Sequence, residues 1–303
     1  HQCAPLHFKL SIYLDIMQKY LLLTITSLFT TQLTAHEDLK AYQLYQYSTP
    51  ISFEKAIEVM AKSDVVLFGE FHDHAMVHWL QLKAAQRLNE GGNLIVGAEF
   101  FETDDQLLLD ELITGTTPMK KFKAEAKLWP NFETDYQPIL QLAIDSKITF
   151  IATNIPRRYA SFVARNGIDT LETFPDDALK LMPPFPMPFS METPGYQDVY
   201  DMMGGGHGME PENFVLAQAR KDYTMAYNIG ESTEMKSLFL HFNGDFHSAD
   251  YGGIYWYLNE LYPKLKVTSI KVIQAKEVDQ LTKDELVGGD IILVVPEDFT
   301  RSN

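Results

Sequence analysis

The sequence predicts a three-layer α/β/α domain around a predominantly parallel central sheet. Two observations predict this. Apolar runs of strand length recur along the chain without alternating polar residues, as suits parallel strands covered on both faces. Between them lie stretches with helical periodicity, and alternation of the two implies a layered sheet. A third observation breaks the pattern. Residues 181–213 are dense in Pro, Met, Phe and Gly, which predicts a helical or loop insertion inside the domain.

The chain has 303 residues. From Met17 it carries one early lysine, an apolar run from Leu21 to Phe29, then small and polar residues ending Leu33-Thr34-Ala35. This is the order of a secretory signal, too short to span a bilayer as a stable helix. Residues 1–35 are therefore expected to be an upstream segment plus a signal peptide over about residues 17–35. Residues 36–303 are expected to form the domain. No cysteine stands at the expected cut, so a lipid anchor is not expected, and the mature protein is expected to be exported, periplasmic or surface-associated.

Strands are expected at Val65–Phe68, Leu94–Ala98, Ile148–Thr153, Leu238–Phe242, Val267–Ile273 and Ile291–Val295. Helices are expected at Ala75–Asn89, Asp104–Ile113, Tyr136–Ser146 and Phe214–Asn228. The Met and Phe content of 181–213 argues for a lid or subdomain packed over something apolar rather than a disordered linker.

The formal charge is −16, which repels nucleic acid and anionic membrane. The single cysteine, Cys3, excludes a disulfide framework, a cysteine-rich zinc site and an iron–sulfur cluster. Any metal must therefore be held by His, Asp, Glu, Tyr or water.

Ligands in open α/β sheets sit beyond the carboxyl ends of the strands. Four expected strand ends carry chemistry: Gly69-Glu70-Phe71-His72, Glu99 followed by Glu102, Asn154 followed by Arg157 and Arg158, and Gly244-Asp245-Phe246-His247. Two of them share one form: strand, Gly, acid, Phe, His. Glycine there is read as room for a sharp turn that lets the histidine point back over the rim. Glu70, His72, Glu99 and His247 then make a nitrogen and oxygen set for a divalent metal. One of the carboxylates, Glu70 or Glu99, would remain as a general base if the protein is a hydrolase. Arg157 and Arg158 suit carboxylates or phosphates, or salt bridges within an acidic protein. His74 and His78 have zinc-ligand spacing but lack the glutamate of the HExxH pattern, so His78 is read as a packed or capping residue and His74 as a marginal member. His207, after three glycines, is a loop candidate.

At these residues the chain resembles the ChaN-like haem-binding uptake family of the Tiki, TraB and erythromycin-esterase superfamily. The resemblance runs over roughly residues 50 to 255. It rests on GEFHDHAMVHWLQLKAAQRL, VGAEFFETDDQLLLDELITG, YQPILQLAIDSKITFIATNIPRR, QARKDYTMAYNI and HFNGDFHSADYGGI, in that order. It implies a haem ligand bound through a tyrosine or histidine, with a homodimer and outer-membrane uptake machinery as expected partners. Tyr196, Tyr200, Tyr223 and Tyr251 are the candidate tyrosines, Tyr200 and His207 joining Arg157 and Arg158 as expected cofactor contacts. Two functions stay open on the sequence: a haem-binding protein of iron acquisition, and a metal-dependent hydrolase of protease or esterase type built on the paired GxxH segments.

Overall fold

A computed structural model of the chain describes residues 39–203, 210–233 and 237–302. The expected signal segment, Cys3 and His207 lie outside the described residues. In chain order the elements are β1 (Gln43–Gln46), β2 (Thr49–Ile51), α1 (Phe53–Met60), β3 (Val65–Glu70), α2 (Ala75–Asn89), β4 (Leu94–Glu102), α3 (Gln106–Ile113), α4 (Met119–Glu125), α5 (Gln137–Ser146), β5 (Thr149–Asn154), α6 (Arg157–Asn166), α7 (Asp176–Leu179), α8 (Tyr196–Met203), α9 (Pro211–Ser232), β6 (Leu238–Gly244), α10 (Gly253–Leu261), β7 (Val267–Ala275) and β8 (Ile291–Pro296).

The eight strands form one sheet in the order β2-β1-β8-β7-β3-β6-β4-β5. The six from β8 to β5 are parallel, and the short β1 and β2 add antiparallel at one edge. The expected three-layer architecture is therefore present. All six predicted strands exist, each starting within one residue of expectation.

Successive strand residues face opposite sides, and both sides are apolar. Val66 and Phe68 on β3, Val96 on β4, Leu240 and Phe242 on β6 and Val272 on β7 face one core, with α1, α2 and α5 over it. Val65, Leu67, Ile95 and Phe239 face the second, covered by α9 and α10. Fully burying one such side chain contributes about 1.5–3 kcal/mol, so the continuous runs are what a doubly covered strand requires. Local signals set the ends: Ser52 caps α1 by accepting the Lys55 amide at 3.1 Å, and Lys147 ends α5 in the left-handed region at φ 54°.

The expected insertion is partly helical. α8 lies within it, and its far end already belongs to α9, which starts at Pro211. Hydrogen bonds fasten it to the second layer: Arg220 donates to Pro183 O at 2.7 Å, Tyr223 to Pro184 O at 3.2 Å and Tyr257 to Pro188 O at 2.8 Å. Among the described residues no helix is long and apolar enough to cross a membrane.

Candidate functional site

Because β3, β6, β4 and β5 are parallel neighbours, their carboxyl ends share one edge of the sheet. Register places Glu70 beside Gly244 and Ala98, the residue before Glu99, beside Phe242. The four residues picked from the sequence are brought together here.

Glu70 is buried at the end of β3. Its Oε1 accepts from Tyr136 Oη at 2.9 Å and lies 3.0 Å from His72 Nδ1, while its Oε2 accepts from Gln81 at 2.9 Å. His78 stands 3.6 Å away on the other side. Burial opposes ionisation of Glu70, but the two imidazoles and these donors outweigh it and hold the carboxyl below its ordinary value. The same contact fixes the His72 ring, which is half exposed and meets Trp129 edge-on at 4.7 Å. Burial disfavours charge on His72, yet Glu70 and Glu99 together raise it above the ordinary histidine value.

Glu99 sits inside β4, which runs on through an irregularity to Glu102 rather than stopping at Ala98 as expected. Its Oε2 accepts the Gly244 amide at 2.7 Å, and its Oε1 lies 3.1 Å from His247 Nε2. The other nitrogen of His247 bonds Asp222 from α9, and Asp222 accepts from Tyr196 Oη at 3.0 Å. One buried imidazole is thus gripped by two carboxylates. Burial alone would discharge the ring; Glu99 and Asp222 override it and push His247 up to about 10. Burial also works against the Glu99 charge, but His247 and then His72 draw it well below the carboxylate range. For Asp222 burial wins, and the carboxyl is raised.

The glycines of the paired segments serve close approach rather than turning. Both lie within strands, and neither has a left-handed φ. A Cβ on Gly244 would lie 2.7 Å from His72 Cε1 and 2.9 Å from its Nε2; one on Gly69 would lie 2.3 Å from Asp245 Oδ1. The two acids differ as well. Glu70 faces the site, whereas Asp245 turns to β7, accepts the Val272 amide at 2.7 Å and is pushed up to about 7 by burial.

These pairings do not fit the expected metal set of Glu70, His72, Glu99 and His247. Both ring nitrogens of His247 face carboxylates, and both oxygens of Glu70 and of Glu99 take protein partners. Among the four, only His72 Nε2 has no hydrogen bond within the described residues. Those residues contain no grouping of three His, Cys, Asp or Glu side chains able to hold a metal ion. The hydrolase roles of Glu70 and Glu99 depended on a metal-bound water and lose their support with it.

A cavity of about 640 Å³ opens above this cluster, with His72 and Glu99 in its floor. Leu128, Trp129 and Pro130 line one wall, and Ala160, Ala164, Phe214 and Ala217 the other, with Arg157 and Lys221 as its cations. Arg157 thus lines the cavity, with its guanidinium 3.8 Å from Glu102. Arg158 does not: it pairs with Asp104 and stacks on Tyr159 at 4.4 Å, away from the cavity. Tyr200 packs against the second apolar core. Tyr196 is tied to Asp222, Tyr223 to Pro184 and Tyr251 to the ring of Tyr255, so no candidate tyrosine lines the cavity. His74 stacks on Phe299, off the cluster.

Asp222, Tyr136, Trp129, Gln81 and Lys221 were not singled out on the sequence. A signal for Asp222 exists. Val215, Ala219, Asp222, Ala226 and Ile229 keep one buried face of α9, and an acid in an apolar register needs a partner. Trp129 comes from an aperiodic stretch with no such signal, and Tyr136 stands at the first position of an expected helix, where periodicity does not say which way its ring turns.

The family model described as haem-binding uptake, Tiki superfamily, ChaN matches residues 56–258. No sequence among curated proteins matches the chain. A solved structure described as "Cofacial heme binding to ChaN of Campylobacter jejuni" superposes with a TM-score of 0.64 at 19% identity, covering 84% of this chain and 97% of that one. The type III effector HopBA1 gives a TM-score of 0.44 at 10% identity over 81% of this chain and 94% of its own. A succinoglycan biosynthesis protein gives 0.43 at 13% identity over 76% and 71%. The matched region takes in β3 to β6, both paired segments and every residue of the cluster, and on that match the chain belongs to the ChaN haem-binding uptake family of the Tiki superfamily.

Proposed function

We propose that the rim cavity binds haem, and that the chain is an exported haem-binding protein of iron acquisition. One observation carries the reading: the distribution of charge in the cavity. Its floor is formed by His72 and the carboxylate of Glu99, which His247 and His72 hold ionised. The walls are apolar and aromatic, and the cations Arg157 and Lys221 stand among them. Ferric haem has the matching layout: a cationic iron at the centre of a flat apolar ring, with propionate carboxylates at its edge. The volume falls within the usual 300–1,000 Å³ for small-ligand sites. His72 is the candidate contact to the iron, because it lines the cavity and Glu70 holds its Nδ1 while Nε2 has no hydrogen bond within the described residues. A carboxylate behind a ligating imidazole fixes its tautomer and raises its basicity. Haem here is cargo, and its iron is what uptake delivers. The export reading rests on the signal-like order of residues 17–35.

The cofacial arrangement named for the Campylobacter protein makes stoichiometry part of the test, since a homodimer is the expected assembly. Purified mature chain titrated with hemin should show a Soret shift at micromolar hemin, saturating at one or two haems per chain, with the mass of the complex read in parallel. His72→Ala should move the Soret maximum. A wild-type chain that leaves the hemin spectrum unchanged at that concentration overturns the proposal.

A further inference from the structure

The segment after β8 has no part in the cluster described above and falls outside the 56–258 match. Residues 299–302 nevertheless hold nearly every residue of the turn that carries His72. Arg301 forms an isolated antiparallel bridge with His74. The Ser302 amide donates to Asp73 O at 2.8 Å, and Arg301 Nη1 to Asp73 Oδ1 at 2.7 Å. The same guanidinium lies over the Phe71 ring at 5.7 Å. Phe299 stacks on the buried His74 ring at 5.0 Å and 16°.

A second line of contacts reaches His72 itself. Ser302 Oγ bonds Asp135, and Asp135 accepts from Asn131 Nδ2 at 2.6 Å. Asn131 Nδ2 also donates to the His72 carbonyl at 2.6 Å. Ser302 meanwhile lines the wall of the rim cavity beside Asp73 and Asn131. One short stretch therefore grips the turn from both sides of His72 and closes part of the cavity.

We propose that residues 299–302 form a latch that positions His72, with Arg301 and Ser302 as positioning residues for the ligand of the rim cavity. Its meaning for binding rests on the haem reading; the positioning of His72 does not. Released, His72 would keep the contacts of its ring with Glu70 and Trp129 and its carbonyl bonds to Asn131, Tyr136 and His78. Local opening of a surface turn is governed by few contacts, so removing several at once changes its population strongly.

The test uses the full chain carrying Phe299→Ala with Arg301→Ala, and Arg301→Lys as the conservative variant. His72 reactivity toward diethyl pyrocarbonate is mapped by mass spectrometry without haem, and hemin affinity and Soret position are read separately. In the double variant His72 should react about fivefold or more faster, while buried His247 stays protected. Hemin affinity should fall and the Soret band broaden, and Arg301→Lys should restore most of the wild-type rate. An unchanged His72 rate in the folded double variant overturns the latch. Should that variant unfold, Asp73→Asn, which removes only the ion pair, carries the same comparison. If the wild type fails to bind hemin, the haem reading falls alone, and the latch is judged on His72 reactivity.

Discussion

Replacing His247 with glutamine tests whether its ring is held as an imidazolium between Glu99 and Asp222. An unfolded histidine titrates near 6.5, and this one is pushed up to about 10. Between those values the folded chain keeps a proton that the unfolded chain has released. The folded pKa is the raised one, so the stability from this ring is fully present below pH 6.5. It falls as pH rises and is lost above about 10. The slope for one proton is about 1.4 kcal/mol per pH unit. Asp245, pushed up to about 7, titrates in the folded state below the useful window, so pH 7.5 to 9.5 isolates His247. Urea unfolding of wild type and His247→Gln should be followed at half-unit steps across that window. The difference between the two free energies should shrink by about 3 kcal/mol from end to end, because unrelated titrations are common to both chains. Parallel stability curves would refute the reasoning, since His247 would then be neutral in the folded protein and the two carboxylate contacts would not be ionic. A ring titration by NMR in the wild type gives the same answer where the variant unfolds.

Two further outcomes follow from the cavity. Gly244→Ala places a methyl carbon 2.7 Å from His72 Cε1, so the ring must leave its bond with Glu70; hemin affinity should drop about tenfold with a changed Soret maximum, and unaltered spectra would remove His72 from the site. Arg157→Glu and Lys221→Glu should each weaken hemin binding about two- to fivefold, Arg157 being largely exposed, yet leave haem dimethyl ester unaffected because the propionate charge is gone; equal losses with both ligands would mean that these cations do not meet propionates.

The layer order and the rim were legible because continuous apolar runs and parallel pairing are coupled. Once Val65–Phe68 and Leu238–Phe242 are read as parallel strands, Glu70, His72 and His247 must exit at the same edge. What those residues do there was not legible. Pairing depends on which side chain turns inward, and the two segments of the same form diverge: Glu70 turns to the cluster and Asp245 to β7. Arg157 and Arg158 are neighbours at the start of α6, about 100° apart around its axis, so one meets the cavity and the other Asp104. β1, β2, α1, α4, α6, α7 and α10 were not foreseen. β1 and β2 are short strands of four and three residues at one side of the sheet with no apolar run, and α10 starts on the second of the glycines at 252 and 253. Glycine 252 is required by the fold, since a Cβ there would lie 2.2 Å from Pro194 O of the insertion.

The two histidines differ in what their protein partners leave free. An imidazole with a carboxylate on each nitrogen is saturated, and to coordinate anything it would first have to break a buried ion contact, which costs several kcal/mol in such surroundings. His247 therefore acts as a fixed positive charge that allows Glu99 to remain ionised beneath the cavity. His72 has one carboxylate on Nδ1 and no hydrogen bond on Nε2 within the described residues, and the glycine at 244 makes room for its ring. The buried histidine sets the charge of the floor, and the half-exposed one meets what enters. A mutation at His72 should therefore alter the spectrum of the bound haem, and one at His247 the pH dependence of folding.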